Sequence, residues 1–249
     1  MESSLRNAAS CLSTPVERRL FAEYGAVFAT TAIPPPVIIF ADAAQVEAFQ
    51  ASLPTSRAFF GDYEIELQSE ALDALSAAAS EMNEHGGSIT ARAADAGGRS
   101  YEDTIRLWTR NVARGLEHWQ HLQRMTREQA DSIRELAPAD QVAWILSLEE
   151  SEHLFFGTFF DKSILYSVAA PGASQHLSML AFDVAEYADR EAERMLNRHG
   201  WYRTVPNDLP HFTYLGHNEA SLHDLGLHRI ERTHTERMYD FWTPCLDRL

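Results

Sequence analysis

The sequence contains little cysteine and little positive charge. Its two cysteines, Cys11 and Cys245, lie near opposite ends of the 249 residues, so neither a disulfide framework nor a cysteine-based zinc cluster is expected, and a single bridge between them stays open. The 36 acidic residues outnumber the 21 lysines and arginines, which gives a formal net charge of −15. A protein that tracks nucleic-acid phosphates needs a basic face, and adhesion to an anionic membrane surface needs positive charge. The composition therefore argues against both classes of partner.

Long hydrophobic runs are also missing. The longest purely apolar stretch near the start, residues 37–41, is far too short to span a bilayer, and residues 1–30 lack the basic-then-apolar order of a secretory signal. We therefore expect no membrane span and see no signal peptide, in a chain that is soluble as given or already trimmed. The 45% hydrophobic and 23% charged content is ordinary for a folded protein, so a sizeable core is available.

The first part of the chain is predicted to be a short α/β segment. A capping box at Thr14 and Glu17 predicts a helix that ends near Gly25. Three consecutive prolines at 34–36 favour an extended backbone, and the apolar, β-branched run at 37–40 then predicts a strand.

The middle of the chain is predicted to be mostly helical. A helix from residue 65 to about 84 carries one apolar stripe, whose members recur at three- and four-residue steps: Leu72, Leu75, Ala79 and Met82. Residues 89–92 are a plausible strand. Residues 105–165 are helical in character, with helix starts capped at Ser100 and Thr126.

Shorter elements follow in the last third of the chain. Residues 180–184 predict a buried strand, residues 188–198 a charged surface helix, and residues 201–203 and 211–215 two further strands. One more short strand is predicted at 228–231. Together these patterns predict an α+β fold, in which a small antiparallel sheet is surrounded by packed helices.

Two segments combine histidines and carboxylates in a way that suits a zinc site. A catalytic zinc takes three protein ligands from His, Asp and Glu and keeps a fourth position for water. His176 on a loop, Asp183 on the following strand and His211 at the start of a later strand would supply them. Because Asp183 follows His176 by seven positions, an odd number, one regular strand would send the two side chains to opposite faces, so His176 must lie outside the strand. Asp208 is the best candidate for a proton-accepting carboxylate, since Pro210 breaks the local strand geometry and lets Asp208 and His211 both turn inward.

These residues resemble the motifs of the LAS zinc peptidases, which cut peptidoglycan stem peptides. That group includes D-alanyl-D-alanine carboxypeptidases and L-alanyl-D-glutamate endopeptidases. Three segments carry the resemblance in the family's order, over roughly residues 65–216: Gly98-Arg99-Ser100-Tyr101, Ser174-Gln175-His176 with Ala181 and Asp183, and Asp208-Leu209-Pro210-His211-Phe212 preceded by His199-Gly200-Trp201. The resemblance implies that His176, Asp183 and His211 are the zinc ligands and that Asp208 is the general base. It also implies that Arg99 is a cation that orients the substrate, and that Ser174 touches the substrate or supports its loop.

The resemblance also suggests how the chain is organised. Residues 61–216 are expected to form the zinc peptidase domain, with a helical insertion at about 105–165. Residues 1–60 would be an N-terminal α/β extension, and residues 217–249 a C-terminal extension packed on the domain. The insertion is longer than we expect for this family, and it could form a cap over the site or a partner surface.

Two positions depart from parts of the family. The carboxypeptidase branch usually carries Glu where this chain has Asp208, whereas Asp-x-Pro-His is common in the endopeptidase branch, so the sequence favours the endopeptidase. The family usually has Gly where this chain has Met179, a side chain that could narrow the cleft or pack beneath it.

The implied activity is hydrolysis of a peptide bond in a peptidoglycan stem peptide, at an L-Ala-D-Glu or a D-Ala-D-Ala bond. The implied mechanism uses zinc-activated water with Asp208 as the base. The alternative is a catalytically silent, zinc-containing module that binds a peptide or a protein. The substrate would place the protein in the periplasm or outside the cell, although the chain shows no signal peptide.

Overall fold

The computed structural model describes residues 4–248. It confirms the predicted α+β class. Among the described residues, eight α-helices occur: α1 Ser4–Ser10, α2 Pro15–Tyr24, α3 Ala43–Ala51, α4 Ser69–Glu84, α5 Tyr101–His121, α6 Arg127–Arg134, α7 Pro138–Ser151 and α8 Arg190–Arg198. Seven strands form three small antiparallel sheets: β1 Thr55–Phe60 with β2 Tyr63–Gln68, β3 Ala181–Asp183 with β4 Trp201–Tyr202 and β5 His211–Tyr214, and β6 Leu227–His234 with β7 Arg237–Pro244.

The three-stranded sheet has the order β3-β5-β4, and it positions two of the predicted site residues. Every residue of β5 is buried, because the middle strand is covered on both faces. Phe182, Trp201 and Phe212 of this sheet belong to the larger hydrophobic core. The register pairs Asp183 with His211, so these two side chains leave the same face of the sheet at neighbouring positions.

Helix α4 covers this core with the predicted apolar stripe. Leu72, Leu75 and Met82 are buried, and Ala79 packs against them. The helix begins at Ser69 rather than at residue 65, because residues 63–68 form β2 and pair with β1. The alternating side chains before Ser69 therefore belong to a hairpin.

The predicted helical insertion consists of α5, α6 and α7, which pack around a second core. Both predicted capping boxes are present, at Ser100 with Asp103 and at Thr126 with Gln129. One buried amide joins all three helices: Gln141 accepts a hydrogen bond from the Trp108 indole at 2.8 Å and donates one to the Ile133 carbonyl at 2.9 Å. These three helices therefore form a packed unit around a second hydrophobic core, to which Leu20 and Tyr24 of α2 also contribute.

Three strand predictions are wrong in extent or in kind. Residues 37–39 form bends and no strand forms over 37–40, because the segment has no partner strand; Phe40 alone bonds across, from its N–H to the Gly172 carbonyl. Residues 89–92 are reduced to one isolated bridge between Ala91 and Val184. The short strand at 228–231 is part of the longer β6, which pairs with the unpredicted β7.

Two further sequence expectations concern cysteine and the membrane. Cys11 and Cys245 are both free thiols, so the bridge that the sequence left open is not formed. Within residues 4–248, none of the helices has the combined length and apolarity that crossing a bilayer requires.

Candidate metal centre

His176 lies on a single 3-10 turn, Gln175–Ser178, outside the sheet as the spacing required. The chain enters this turn past Gly172, whose φ of 78° and close approach to Phe40 leave no room for a side chain: a Cβ there would lie 2.1 Å from the Phe40 carbonyl oxygen. It leaves through Met179, which has the left-handed φ of 57°. These two reversals direct His176 towards the sheet.

Asp183 and His211 reach the same point because they are directly paired across β3 and β5. His176 Nε2 lies 3.4 Å from Asp183 Oδ1, His211 Nδ1 lies 3.3 Å from that oxygen, and the two nitrogens are 3.1 Å apart. Ligand atoms of a tetrahedral zinc with bonds of about 2.0–2.1 Å lie roughly 3.3–3.4 Å from one another. The His176, Asp183 and His211 group, called the ligand cluster below, can therefore hold a metal ion.

The protonation of the cluster suits a cation. The other ring nitrogen of His176, Nδ1, lies 2.7 Å from the Gly97 carbonyl oxygen, to which it can only donate, so Nε2 carries a lone pair. In the same way, His211 donates from Nε2 to the Gln175 side-chain oxygen at 2.8 Å, which leaves its Nδ1 unprotonated. Burial lowers the pKa of His176 below its ordinary value and favours this neutral form.

Asp183 completes the cluster with a buried oxygen that has no hydrogen-bond partner among the described residues, Oδ1. Burial opposes its charge, but Arg99 donates a charge-assisted hydrogen bond to the other carboxylate oxygen, Oδ2, at 2.6 Å, and this contact favours the ionised form of Asp183. Two nitrogen lone pairs and one carboxylate oxygen thus face one another at close range. Such an arrangement repels itself, and a bound cation relieves the repulsion.

Arg99 lies where the resemblance expects it, beside the ligand cluster. Its Nη2 donates to Asp183 Oδ2 at 2.6 Å, and its Nε donates to the Asp95 carbonyl oxygen at 3.0 Å. Arg99 therefore orients the carboxylate whose other oxygen faces the two histidines. Partners of this kind fix the orientation of metal ligands.

Gln175 was not singled out from the sequence, yet it organises the far side of the cluster. Its side-chain oxygen accepts from His211, from the Thr213 hydroxyl at 2.5 Å and from the Thr204 hydroxyl at 3.1 Å. Its amide nitrogen donates to the Tyr24 carbonyl at 2.7 Å. A glutamine next to a histidine is not a recognisable motif. In the sequence, only its position beside His176 could have indicated that Gln175 belongs to the site.

A pocket of about 110 Å³ opens onto the ligand cluster. His176, His211 and the remaining predicted site residues, Arg99, Ser174 and Asp208, all line it. One wall comes from helix α5, so the segment that the sequence predicts as an insertion borders the site.

Asp208 reaches the pocket from a turn that precedes β5. Its N–H bonds to the Val205 carbonyl, Asn207 adopts a left-handed φ of 73°, and His211 bonds back to the Asp208 carbonyl. Desolvation by the surrounding protein and the negative charge of Asp183 raise the pKa of the Asp208 carboxyl above its ordinary value. A carboxylate with a raised pKa is a better proton acceptor near neutral pH than an ordinary aspartate.

Met179 packs beneath the site and does not narrow it. The side chain is buried against Gly98, and it does not belong to the residues that line the pocket. Its left-handed backbone explains why glycine suits this position, since glycine adopts that conformation without strain.

The ligand cluster is the one group of this composition within residues 4–248. Comparison of the chain with protein-family models, with curated proteins and with solved structures finds no match.

Proposed function

We propose that the protein is a zinc-dependent peptidase that hydrolyses an L-Ala-D-Glu or a D-Ala-D-Ala bond in peptidoglycan stem peptides. The observation that carries the proposal is the ligand cluster, with three donor atoms 3.1–3.4 Å apart, at the end of a pocket that also contains Asp208. Two histidines and a carboxylate form a ligand set of hydrolytic zinc sites. The same donors also occur in iron(II) sites, so the metal must be identified by analysis.

The chain's own residues support a division of labour in this pocket. When bound, the metal polarises the scissile carbonyl and lowers the pKa of water. Asp208 accepts a proton on its carboxylate and delivers it to the leaving amine. Arg99 uses Nε and Nη2 to hold Asp95 and Asp183, and a guanidinium has five N–H groups, so its remaining donors serve the substrate.

The choice of peptidoglycan peptides rests on the resemblance of the three sequence motifs to the LAS group. Met179 and the long predicted insertion, which both differ from the family, are compatible with activity. Met179 does not line the pocket, and the insertion borders the pocket without closing it. These observations favour a peptidase over a silent binding module.

The test is incubation of the purified chain and zinc with muropeptides that contain both bonds, with products identified by mass spectrometry. We expect cleavage of one bond by wild type and a loss of about 10²–10⁴-fold in turnover for Asp208→Asn. Metal analysis should find one zinc per chain in wild type and in Asp208→Asn, and none in His176→Ala.

Asp161→Asn is the matched control, since Asp161 is an exposed acid of the insertion outside the pocket. It should cleave at the wild-type rate. If zinc-loaded wild type leaves every muropeptide intact, the peptidase proposal is wrong and the silent binding module remains. Turnover of Asp208→Asn at the wild-type rate would remove Asp208 from the mechanism.

A further inference from the structure

Helix α5 places one arginine at the pocket, Arg110, that no sequence motif singled out. Arg110 lines the pocket together with Arg99 and Asp208, and it is exposed. Arg99 is engaged with Asp183 and Asp95, whereas Arg110 has no hydrogen bond or ion pair to any residue in 4–248.

The neighbouring polar side chains of α5 each donate a hydrogen bond within the helix. Thr104 donates its hydroxyl to the Tyr101 carbonyl at 2.6 Å, and Asn111 donates its amide to the Leu107 carbonyl at 3.0 Å. Of the α5 residues that line the pocket, Arg110 is therefore the one with an uncommitted charged group. A planar guanidinium binds a carboxylate through two parallel hydrogen bonds.

The pocket is small, and its wall is partly apolar. Its volume of about 110 Å³ is below the roughly 300–1,000 Å³ of pockets that enclose drug-sized ligands. Leu107, Val168 and Val205 supply apolar lining. These features suit a short group that carries a methyl and a carboxylate better than a long side chain.

We propose that Arg110 binds a substrate carboxylate next to the scissile bond, so that the pocket selects acidic peptides over their amides. The inference rests on the proposed function and makes its substrate class specific. Both candidate bonds meet the requirement. The residue after an L-Ala-D-Glu bond keeps a free α-carboxylate, and the residue after a terminal D-Ala-D-Ala bond keeps the C-terminal carboxylate.

The experiment compares acid and amide forms of one peptide. The probes are a muramyl peptide ending in L-Ala-D-Glu, the same peptide with the D-Glu α-carboxylate amidated, and a D-Ala-D-Ala stem peptide with and without C-terminal amidation. Binding is measured by calorimetry with the zinc-loaded full chain in the Asp208→Asn background, and hydrolysis is measured in parallel with Asp208 intact. We expect the acid of one pair to bind about 10-fold more tightly than its amide.

Arg110→Gln should bind acid and amide equally, and Arg110→Lys should keep part of the preference because it keeps the charge without the fork. Arg190→Gln is the matched control, because Arg190 is also exposed and without a described ion pair but lies outside this pocket. It should retain the full preference. Neither arginine holds another side chain, so folding should be unaffected.

The outcomes separate the two proposals. An acid preference that Arg110→Gln loses and Arg190→Gln keeps supports the role of Arg110, even where no hydrolysis occurs and the peptidase proposal fails. Equal binding of acid and amide by the Arg110-containing protein, a preference that survives in Arg110→Gln, or no binding of any probe overturns the role of Arg110. Hydrolysis of both acid and amide at equal rates would then leave the peptidase proposal standing.

Discussion

At the residue scale, the ligand cluster depends on where two protons lie. Gly97 and Gln175 each accept the N–H of one histidine on the side away from Asp183. Both lone pairs are thereby turned towards the carboxylate. A histidine ligand is normally fixed in this way by a hydrogen bond from its second nitrogen, and changes to such partners typically weaken metal binding 10–100-fold.

Gln175→Met should weaken zinc binding by about 10–100-fold while one zinc per chain is still bound. The substitution keeps the approximate shape of the side chain but removes the oxygen that accepts the His211 N–H, and all three ligands remain. The measurement is zinc affinity by competition with a chelator of known affinity.

Gln141→Met provides the control for this prediction. Gln141 is also a buried glutamine whose amide accepts from a ring N–H and donates to a carbonyl, but it lies among the helices of the insertion. Each substitution removes the partner of a buried ring N–H and of a backbone carbonyl, and Gln175→Met also removes an acceptor of two threonine hydroxyls; each buried group left unsatisfied costs about 1–3 kcal/mol of stability. Only Gln175→Met should weaken zinc binding. An equal loss of zinc affinity in both variants would mean that general destabilisation of the fold is responsible.

At the scale of elements, features that depend on local sequence could be predicted, whereas the pairing of strands could not. The capping boxes at Thr14, Ser100 and Thr126 are local hydrogen-bond patterns, and all three helices begin where these residues indicate. The placement of His176 outside the strand followed from the two-residue period alone. The direct pairing of Asp183 with His211 depends on register between segments 28 positions apart, and no local pattern fixes that.

The failed strand at residues 37–40 shows the same limit. Ile38, Ile39 and Phe40 do become packed, but each against a different cluster, and Val37 stays exposed. A strand needs a neighbour for its N–H and C=O groups, and propensity does not supply one. Conversely, β7 was not predicted from the sequence. This strand forms through its pairing with β6, which the sequence of β7 alone does not specify.

The 3-10 turn that carries His176 ends in a strained residue, and a pair of substitutions can measure this strain. Met179→Ala should destabilise the protein by about 2–5 kcal/mol through loss of buried side chain. Met179→Gly removes one carbon more, yet it should be more stable than Met179→Ala by roughly 0.5–1 kcal/mol, because glycine tolerates a φ of 57°. Denaturant unfolding of both variants gives the comparison.

Met195 supplies the matched control for this order. It is likewise a buried methionine, but it lies within helix α8. Glycine is disfavoured in a right-handed helix, so Met195→Gly should be less stable than Met195→Ala by about 1 kcal/mol. The same order at Met179 as at Met195 would contradict the role of the left-handed backbone.

At the scale of the whole molecule, the net charge of the chain is opposite in sign to the charge of the side chains that line the pocket. The chain carries a net charge of −15, yet the lining of the pocket contains two arginines and one aspartate, and a bound cation adds further positive charge. Long-range repulsion would keep an anionic peptide away from the surface as a whole, and salt screens this repulsion beyond about 10 Å at 0.1 M. Recognition of a carboxylate must therefore come from groups in direct contact with it.

The ligand cluster also links distant parts of the chain, so metal should act as a stabiliser of the fold. His176 comes from a turn, Asp183 from β3 and His211 from β5, and an ion that binds only their folded arrangement adds its binding free energy to stability. At zinc 100-fold above Kd this amounts to about 2.7 kcal/mol. For a chain of this size we expect the Tm to rise by roughly 5–10 °C, and a chelator to reverse the change.

Differential scanning calorimetry of two histidine variants distinguishes the cluster from zinc bound elsewhere. His234 is exposed on the β6-β7 hairpin, away from the ligand cluster. His234→Ala should keep the full zinc-dependent rise in Tm, whereas His176→Ala should show none, because two ligands do not hold the ion at the concentrations that saturate three. A rise in Tm of equal size in His176→Ala would show that zinc stabilises the protein through other histidines. Zinc bound at the ligand cluster would then not be what stabilises the fold.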